Sequence, residues 1–364
     1  MRRARLAWRL LSAQARGCVG LATAWNPPLA GALARSIVGE PRETESDVGG
    51  IRATIYRPAR GTGPWPALVL YPGVTRQGRR HAAFVGLGRG LAAAGFLAVV
   101  AEPDGLAGGE LTGETAGQAL AAAIAVASRP DAARGRIALL GVSGGATLAL
   151  CTAAAERLSG RVTSVLAMAP VCDLEEALRF VTTGFHRTNG TLEPFATRGF
   201  FELVCARSVV ASLSPRRDRD AVLELLRSLP DYGDRPLDVL GSLVVRASDP
   251  DVRAALELFT NRDPMQFDGL LEALPSEART SLSSLSAVRG ARTIGAPVEL
   301  VVARQDKYIP LADALAFAAA CPTARVTILD SLEHVVPRLA LGDTRDLARL
   351  NGTLVRLLAR AYSR

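Results

Sequence analysis

A serine hydroxyl is a weak nucleophile unless a base takes its proton and an acid orients that base. All three residue types occur in informative settings in this chain of 364 residues. Ser143 lies in Gly141-Val-Ser-Gly-Gly145, after the apolar run Ile137 to Leu140 and just ahead of the helical pattern Thr147 to Ala155. Glycines two residues either side of a serine let a strand and a helix pass close together. The serine at the tip of so sharp a turn is held exposed in strained backbone. Asp306 follows the apolar run Val298 to Val302 after Ala303-Arg-Gln305, and His334 follows Val326 to Leu329, ahead of Pro337. Each therefore stands beyond the carboxyl end of its own expected strand, in the order Ser, Asp, His. That constellation suits acyl transfer: Ser143 as nucleophile, His334 as base, Asp306 as the orienting acid.

The oxyanion of such a reaction needs two donors in place beforehand. The backbone N–H of Gly144 is one. The N–H of Val74 is the other, because Gly73 lets the loop after Pro66 to Tyr71 turn towards the serine. Tyr71 is either a pocket residue offering its hydroxyl or a strand residue facing its helix layer. The other histidines are less well placed: His81 opens a helix, and His186 sits between Phe185 and Arg187. Asp173, after the run that ends near Pro170, is an alternative acid.

The elements that must position these groups alternate. Ile51 to Arg57 reads as a half-exposed strand ended by Pro58, and Pro66 to Tyr71 and Phe96 to Ala101 as buried strands. Ala82 to Ala94 and Thr115 to Ser128 read as helices, and Val162 to Ala169 as a further strand. Strands and helices at this rhythm predict an α/β fold, with a mostly parallel, doubly wound sheet covered on both faces. The rhythm breaks between Asp173 and about Ile294, where helical periodicities occur without a persuasive buried strand. It resumes at Val298 and closes with the helix Thr344 to Arg360. The expected organisation is an N-terminal extension (1–40), a core (41–172 and 295–364) and an inserted helical cap (173–294).

The net charge of +8 is unevenly spread: residues 1–39 hold six arginines and no acid, so the other 325 residues carry about +2. No basic stripe with interleaved aromatics runs through the body, and nucleic acid is not an expected partner. Arg2, Arg5, Arg9 and Arg16 fall on one helical face near Trp8, so residues 2–17 form either a helix able to lie on an anionic membrane surface or an arginine-rich tail over the domain. No stretch there is long and apolar enough to span a bilayer, and no secretory cleavage pattern follows. Cys18, Cys151, Cys172, Cys205 and Cys321 are scattered, as are the three histidines, so neither a metal site nor a cofactor is expected. Reduced thiols suit a cytoplasmic location. Asn189-Gly-Thr191 and Asn351-Gly-Thr353 are formal glycosylation sequons.

Four stretches carry a resemblance: Gly141-Val-Ser-Gly-Gly145, Tyr71-Pro-Gly-Val74, Ala296 to Asp306 with Ile309-Pro310, and Glu333-His334. From about residue 45 onward the chain resembles the α/β-hydrolase superfamily, and within it the serine esterase and dienelactone-hydrolase-like groups. Ser143 departs from dienelactone hydrolases themselves, whose nucleophile is Cys. Val142 and Gly144 supply no aromatic beside the serine, which counts against a prolyl-oligopeptidase-type peptidase. The resemblance implies an acyl-enzyme on Ser143, hydrolysed by water activated through His334.

Five of the ten phenylalanines (Phe180, Phe185, Phe195, Phe200 and Phe201) fall within 22 residues of the expected cap. Phe180, Phe185 and Phe200, with Tyr71, are the candidates for a substrate pocket; the aromatics serve equally as a small core for the cap itself. The leading expectation is a carboxylic-ester hydrolase acting on a small-molecule substrate. Thioesterase, acyltransferase or peptidase activity on the same three residues, and a non-catalytic module on a membrane surface, stay open.

Overall fold

The computed structural model describes residues 14–15, 36–197, 199–231, 233, 235–337 and 343–362. All but two residues of the expected basic helix at 2–17 lie outside the described residues. The strands are β1 (Arg42–Val48), β2 (Ile51–Arg57), β3 (Trp65–Tyr71), β4 (Leu97–Glu102), β5 (Ala132–Val142), β6 (Val162–Met168), β9 (Val298–Ala303) and β10 (Ala324–Leu329), joined in one sheet in the order β1-β2-β4-β3-β5-β6-β9-β10. From β4 to β10 every pairing is parallel, while β1 and β2 run antiparallel at one edge. The expected mostly parallel α/β sheet is therefore present.

Alternation along each strand sorts side chains between two layers. Leu68, Leu70, Ala138 and Leu140 face one cluster, which α1 (Ala82–Ala93) and the closing helix α11 (Thr344–Ala361) cover. Val69, Tyr71, Ile137 and Leu139 face the other, beneath α2 (Gly113–Ala127), α3 (Gly144–Ala154) and α10 (Leu311–Ala320). Ile51–Arg57 is not half-exposed as expected: only Arg52 is exposed, because β4 pairs with it and α1 packs on it. The strand β1 was not expected. Its residues Arg42-Glu-Thr-Glu-Ser-Asp are polar on both faces, as suits an edge that must not pair further.

Between β6 and β9 the chain forms α4 (Leu174–Thr183), α5 (Gly199–Ala211), α6 (Arg217–Ser228), α7 (Pro250–Thr260), α8 (Phe267–Glu272) and α9 (Ser276–Leu285). These share a hydrophobic core of their own, including Leu178, Phe180, Leu203, Leu226, Phe259 and Phe267. Each large apolar side chain buried there contributes about 1.5–3 kcal/mol towards ordering the segment. No buried strand interrupts these helices, as expected, but a largely exposed hairpin does, β7 (Phe185–Thr188) with β8 (Thr191–Pro194). Its turn is Asn189-Gly190, both at positive φ (50° and 84°), the geometry Asn-Gly favours. Ile309, just beyond β9, is buried in the insertion's core and so packs the Asp306 loop against it. Cys151, Cys172, Cys205 and Cys321 are free thiols.

Candidate active site

The turn around Ser143 is built by excluded volume. A side chain on Gly141 would collide with the Gly145 carbonyl oxygen, and one on Gly145 with the carbonyl oxygens of Tyr71 and Pro72. Only glycine at both positions lets β5, α3 and the end of β3 meet. Ser143 between them has φ 52° and ψ −124°, a region that side-chain-bearing residues seldom occupy. Its N–H donates to the Met168 carbonyl of β6 at 2.8 Å, fixing the turn against the neighbouring strand. Gly144 begins α3, so its N–H is one of the helix's first amides, which have no intrahelical acceptor and sit at the positive end of the helix dipole.

Two distant loops converge on the serine. The short strands β11 (Leu332–Glu333) and β12 (Val336–Pro337) form a hairpin whose two-residue turn carries His334, at φ 54°. His334 Nε2 lies 3.0 Å from Ser143 Oγ, and Nδ1 lies 2.8 Å from Asp306 Oδ2. The other carboxylate oxygen of Asp306 accepts the N–H groups of Tyr308 (2.8 Å) and Ile309 (3.2 Å), which leaves Oδ2 aimed at the imidazole. An ionised carboxylate only accepts, so Nδ1 carries the proton and Nε2 is left to accept from the serine hydroxyl. This arrangement can remove the Ser143 proton and return it to a leaving group. Among the described residues, no group of three or more His, Cys, Asp or Glu is placed to hold a metal ion.

The remaining candidates separate. Val74 is beside the turn: its Cγ2 would lie 3.3 Å from a side-chain carbon placed on Gly144. Phe200 is half-buried and meets Tyr308 edge to face at 6.5 Å, and the Tyr308 ring lies 4.8 Å from that of His334. Tyr71 is not a pocket residue. It is fully buried on the face towards α2, and its hydroxyl donates to the Ala119 carbonyl at 2.7 Å. Phe180 is not one either, because it stacks on Phe201 (5.8 Å) and meets Phe195 edge to face (5.3 Å) inside the insertion's core. Phe185 is half-buried on the β7–β8 hairpin, paired with Pro194. Asp173 caps α4, accepting from the N–H groups of Glu175 (3.0 Å) and Glu176 (3.3 Å). His81 caps α1, and His186 lies 3.2 Å from the Thr188 hydroxyl within the hairpin.

Sequence reasoning missed two carboxylates that join segments far apart in the chain. Asp231 accepts from Arg76 Nε (3.0 Å), two residues beyond Val74, and from Arg207 Nη2 (3.2 Å) on α5. Burial alone would raise its pKa, but the bonds from Arg76 and Arg207 outweigh this and hold it below the usual carboxylate value. Arg207 also donates to the carbonyls of Leu226 and Gly108. One carboxylate thus links the insertion to the loop after β3, and residues 155 positions apart leave no local pattern to read. Asp313, on α10, accepts from the N–H groups of Cys172 (2.7 Å) and Asp173 (3.0 Å) where the chain leaves the core for the insertion. Burial pushes its pKa up to about 7.

Residues 49–210 match the profile of the X-Pro dipeptidyl-peptidase (S15 family), a span that includes Ser143 but neither Asp306 nor His334. Among solved structures, the chain is similar to Est1E from Butyrivibrio proteoclasticus, at 15% identity and a TM-score of 0.50, over 88% of this chain and 99% of that one. It is also similar to the acylaminoacyl peptidase of Pyrococcus horikoshii, at 14% identity and a TM-score of 0.50, over 87% of this chain but only 41% of that one. No curated protein matches the sequence.

Proposed function

We propose that this chain, which has the α/β-hydrolase fold, is a serine hydrolase that cleaves a carboxylic ester through an acyl-enzyme on Ser143. The observation that carries the reading is the run of contacts from Asp306 Oδ2 to His334 to Ser143 Oγ, at 2.8 and 3.0 Å. Ser143 Oγ attacks the carbonyl carbon as His334 Nε2 takes its proton. The oxyanion is held by the N–H of Gly144 and that of Val74, each such donor being worth about 3 kcal/mol of transition-state stabilisation. The carbon–oxygen bond to the alcohol then breaks, and His334 returns the proton to the departing oxygen. Water, deprotonated by His334, attacks the acyl-serine, and the same proton restores the Ser143 hydroxyl as the acid leaves. The insertion acts as a cap, held to the acid loop by Ile309 in its core and by the Thr197 hydroxyl donating to the Tyr308 carbonyl at 2.9 Å.

Peptide hydrolysis on the same residues is the second reading, and the profile match over 49–210 favours it. Thioester cleavage and acyl transfer use the same acyl-enzyme. A fluorophosphonate probe should label the protein, and Ser143→Ala should abolish labelling; a folded protein left unlabelled ends the reading. Turnover of a panel of esters, thioesters and amides, with alcohol acceptors added, then assigns the bond. Among the described residues no helix is long and apolar enough to cross a membrane. A membrane-surface role for residues 2–17 is tested by liposome flotation with and without residues 1–40.

A further inference from the structure

The two sides of Ser143 are walled differently. A side-chain carbon on Gly144 would meet Leu111 Cδ2 at 3.2 Å, Val74 Cγ2 at 3.3 Å and Leu106 Cδ1 at 3.6 Å. Behind these, one on Gly109 would meet Val204 Cγ2 at 3.1 Å and Val74 Cγ1 at 3.3 Å. Leu106 and Leu111 are 1% and 6% exposed and belong to the same core as α3. Polar contacts strap the loop that carries them to the insertion. Leu111 N–H donates to Ser208 Oγ (3.0 Å), Gly113 N–H to Ser281 Oγ (2.8 Å), and Arg227 donates twice to Glu110 (2.6 and 2.7 Å). This side is filled and fixed.

The other side is aromatic and partly open. His334, Tyr308 and Phe200 are all half-buried, with Tyr308 between the other two. Chemistry decides which part of an ester meets which wall. His334 Nε2 must hand its proton to the departing oxygen, so the alcohol part leaves along the wall of Tyr308 and Phe200. The acyl part stays bonded to Ser143 beside Gly144, on the side where Leu106, Leu111 and Val74 would already stand 3.2–3.6 Å from a single carbon added at Gly144.

We propose that the substrates are esters with a short acyl group and a bulky, apolar alcohol part that packs on Tyr308 and Phe200. The proposal rests on the reading of Ser143 as nucleophile and adds to it the division of the substrate between two walls. The experiment uses the full chain, with active sites counted by fluorophosphonate titration. Ethyl esters from acetate to octanoate should show kcat/KM falling by at least ~10-fold, the scale on which a closed pocket rejects added methylenes. At constant acyl group, 2-phenylethyl acetate should exceed ethyl acetate by about 10-fold. Leu111→Ala should raise the octanoate-to-acetate ratio, and Phe200→Ala should lower the 2-phenylethyl-to-ethyl ratio. Octanoate turned over as well as acetate, or no preference for the phenylethyl ester, overturns this inference while labelling of Ser143 stands. A protein that is neither labelled nor active overturns both.

Discussion

Lys307 and Glu333 form an ion pair of 3.2 Å that joins the residue after Asp306 to the residue before His334. Lys307 is the only lysine in the chain. The two side chains are 50% and 25% exposed, so the pair is worth under about 1 kcal/mol to stability. Its leverage is geometric, because it spans the loops whose separation sets the contact between imidazole and carboxylate. Lys307→Met is expected to leave the melting temperature nearly unchanged and to lower kcat several-fold, with the wild type moving towards the variant as salt is added. Wild-type kcat in the variant would show that the contact with Asp306 suffices to orient His334.

Ser143 sits at φ 52° and ψ −124°, a conformation costing a side-chain-bearing residue about 1–3 kcal/mol. Glycine adopts it freely but gives up some of that advantage through the entropy of its unfolded chain. Ser143→Gly and Ser143→Ala should both be inactive. The glycine variant should nevertheless unfold with about 1 kcal/mol more stability than the alanine variant. Denaturant titration of the two distinguishes stored strain from none.

Removing the carboxylate of Asp231 leaves Arg207, whose side chain is 4% exposed, with backbone carbonyls alone. Asp231→Asn should cost about 2 kcal/mol at neutral pH, less than a fully buried pair because Asp231 is 16% exposed. The folded-state pKa of Asp231 is depressed. Its contribution is therefore present above the unfolded value of about 4 and is lost as pH falls through the lower folded value. Unfolding free energies of wild type and variant should converge below pH 4. Arg76, 72% exposed, separates the two roles: Arg76→Ala should spare stability yet lower kcat, since it frees the loop that carries Val74.

Asp313 shifts the other way. A carboxyl raised to about 7 by burial holds its proton in the folded protein at pH values where the unfolded chain has lost it. Between about pH 4 and pH 7 the folded state binds more protons, so this group's contribution to stability declines as pH rises, and is level above. Wild-type stability should show that decline, and Asp313→Asn, though weaker throughout for want of an acceptor towards Cys172 and Asp173, should lack it. Parallel slopes in the two proteins from pH 5 to 8 would refute the assignment.

The sequence by itself determined what is local. Gly141-Val-Ser-Gly-Gly145 requires a turn that only glycines on either side permit, and the apolar runs before Ser143, Asp306 and His334 place each at the carboxyl end of a strand. Asn189-Gly190, which stands out in the sequence only as part of a sequon, is a hairpin turn in the structure. The tertiary structure alone decided which face of a strand or helix meets what. A tyrosine at the end of a buried strand points to one layer or the other according to register, and Tyr71 points into the layer of α2 and α3, where the Ala119 carbonyl takes its hydroxyl. Phenylalanines crowded within one segment fill either a pocket or a core, and packing sent Phe180 to the insertion's core and Phe200 against Tyr308. The link from Arg76 through Asp231 to Arg207, and the wall of Leu106 and Leu111 against Gly144, join residues far apart in the chain. Such contacts depend on distances that folding sets, and a linear order of residues does not contain them.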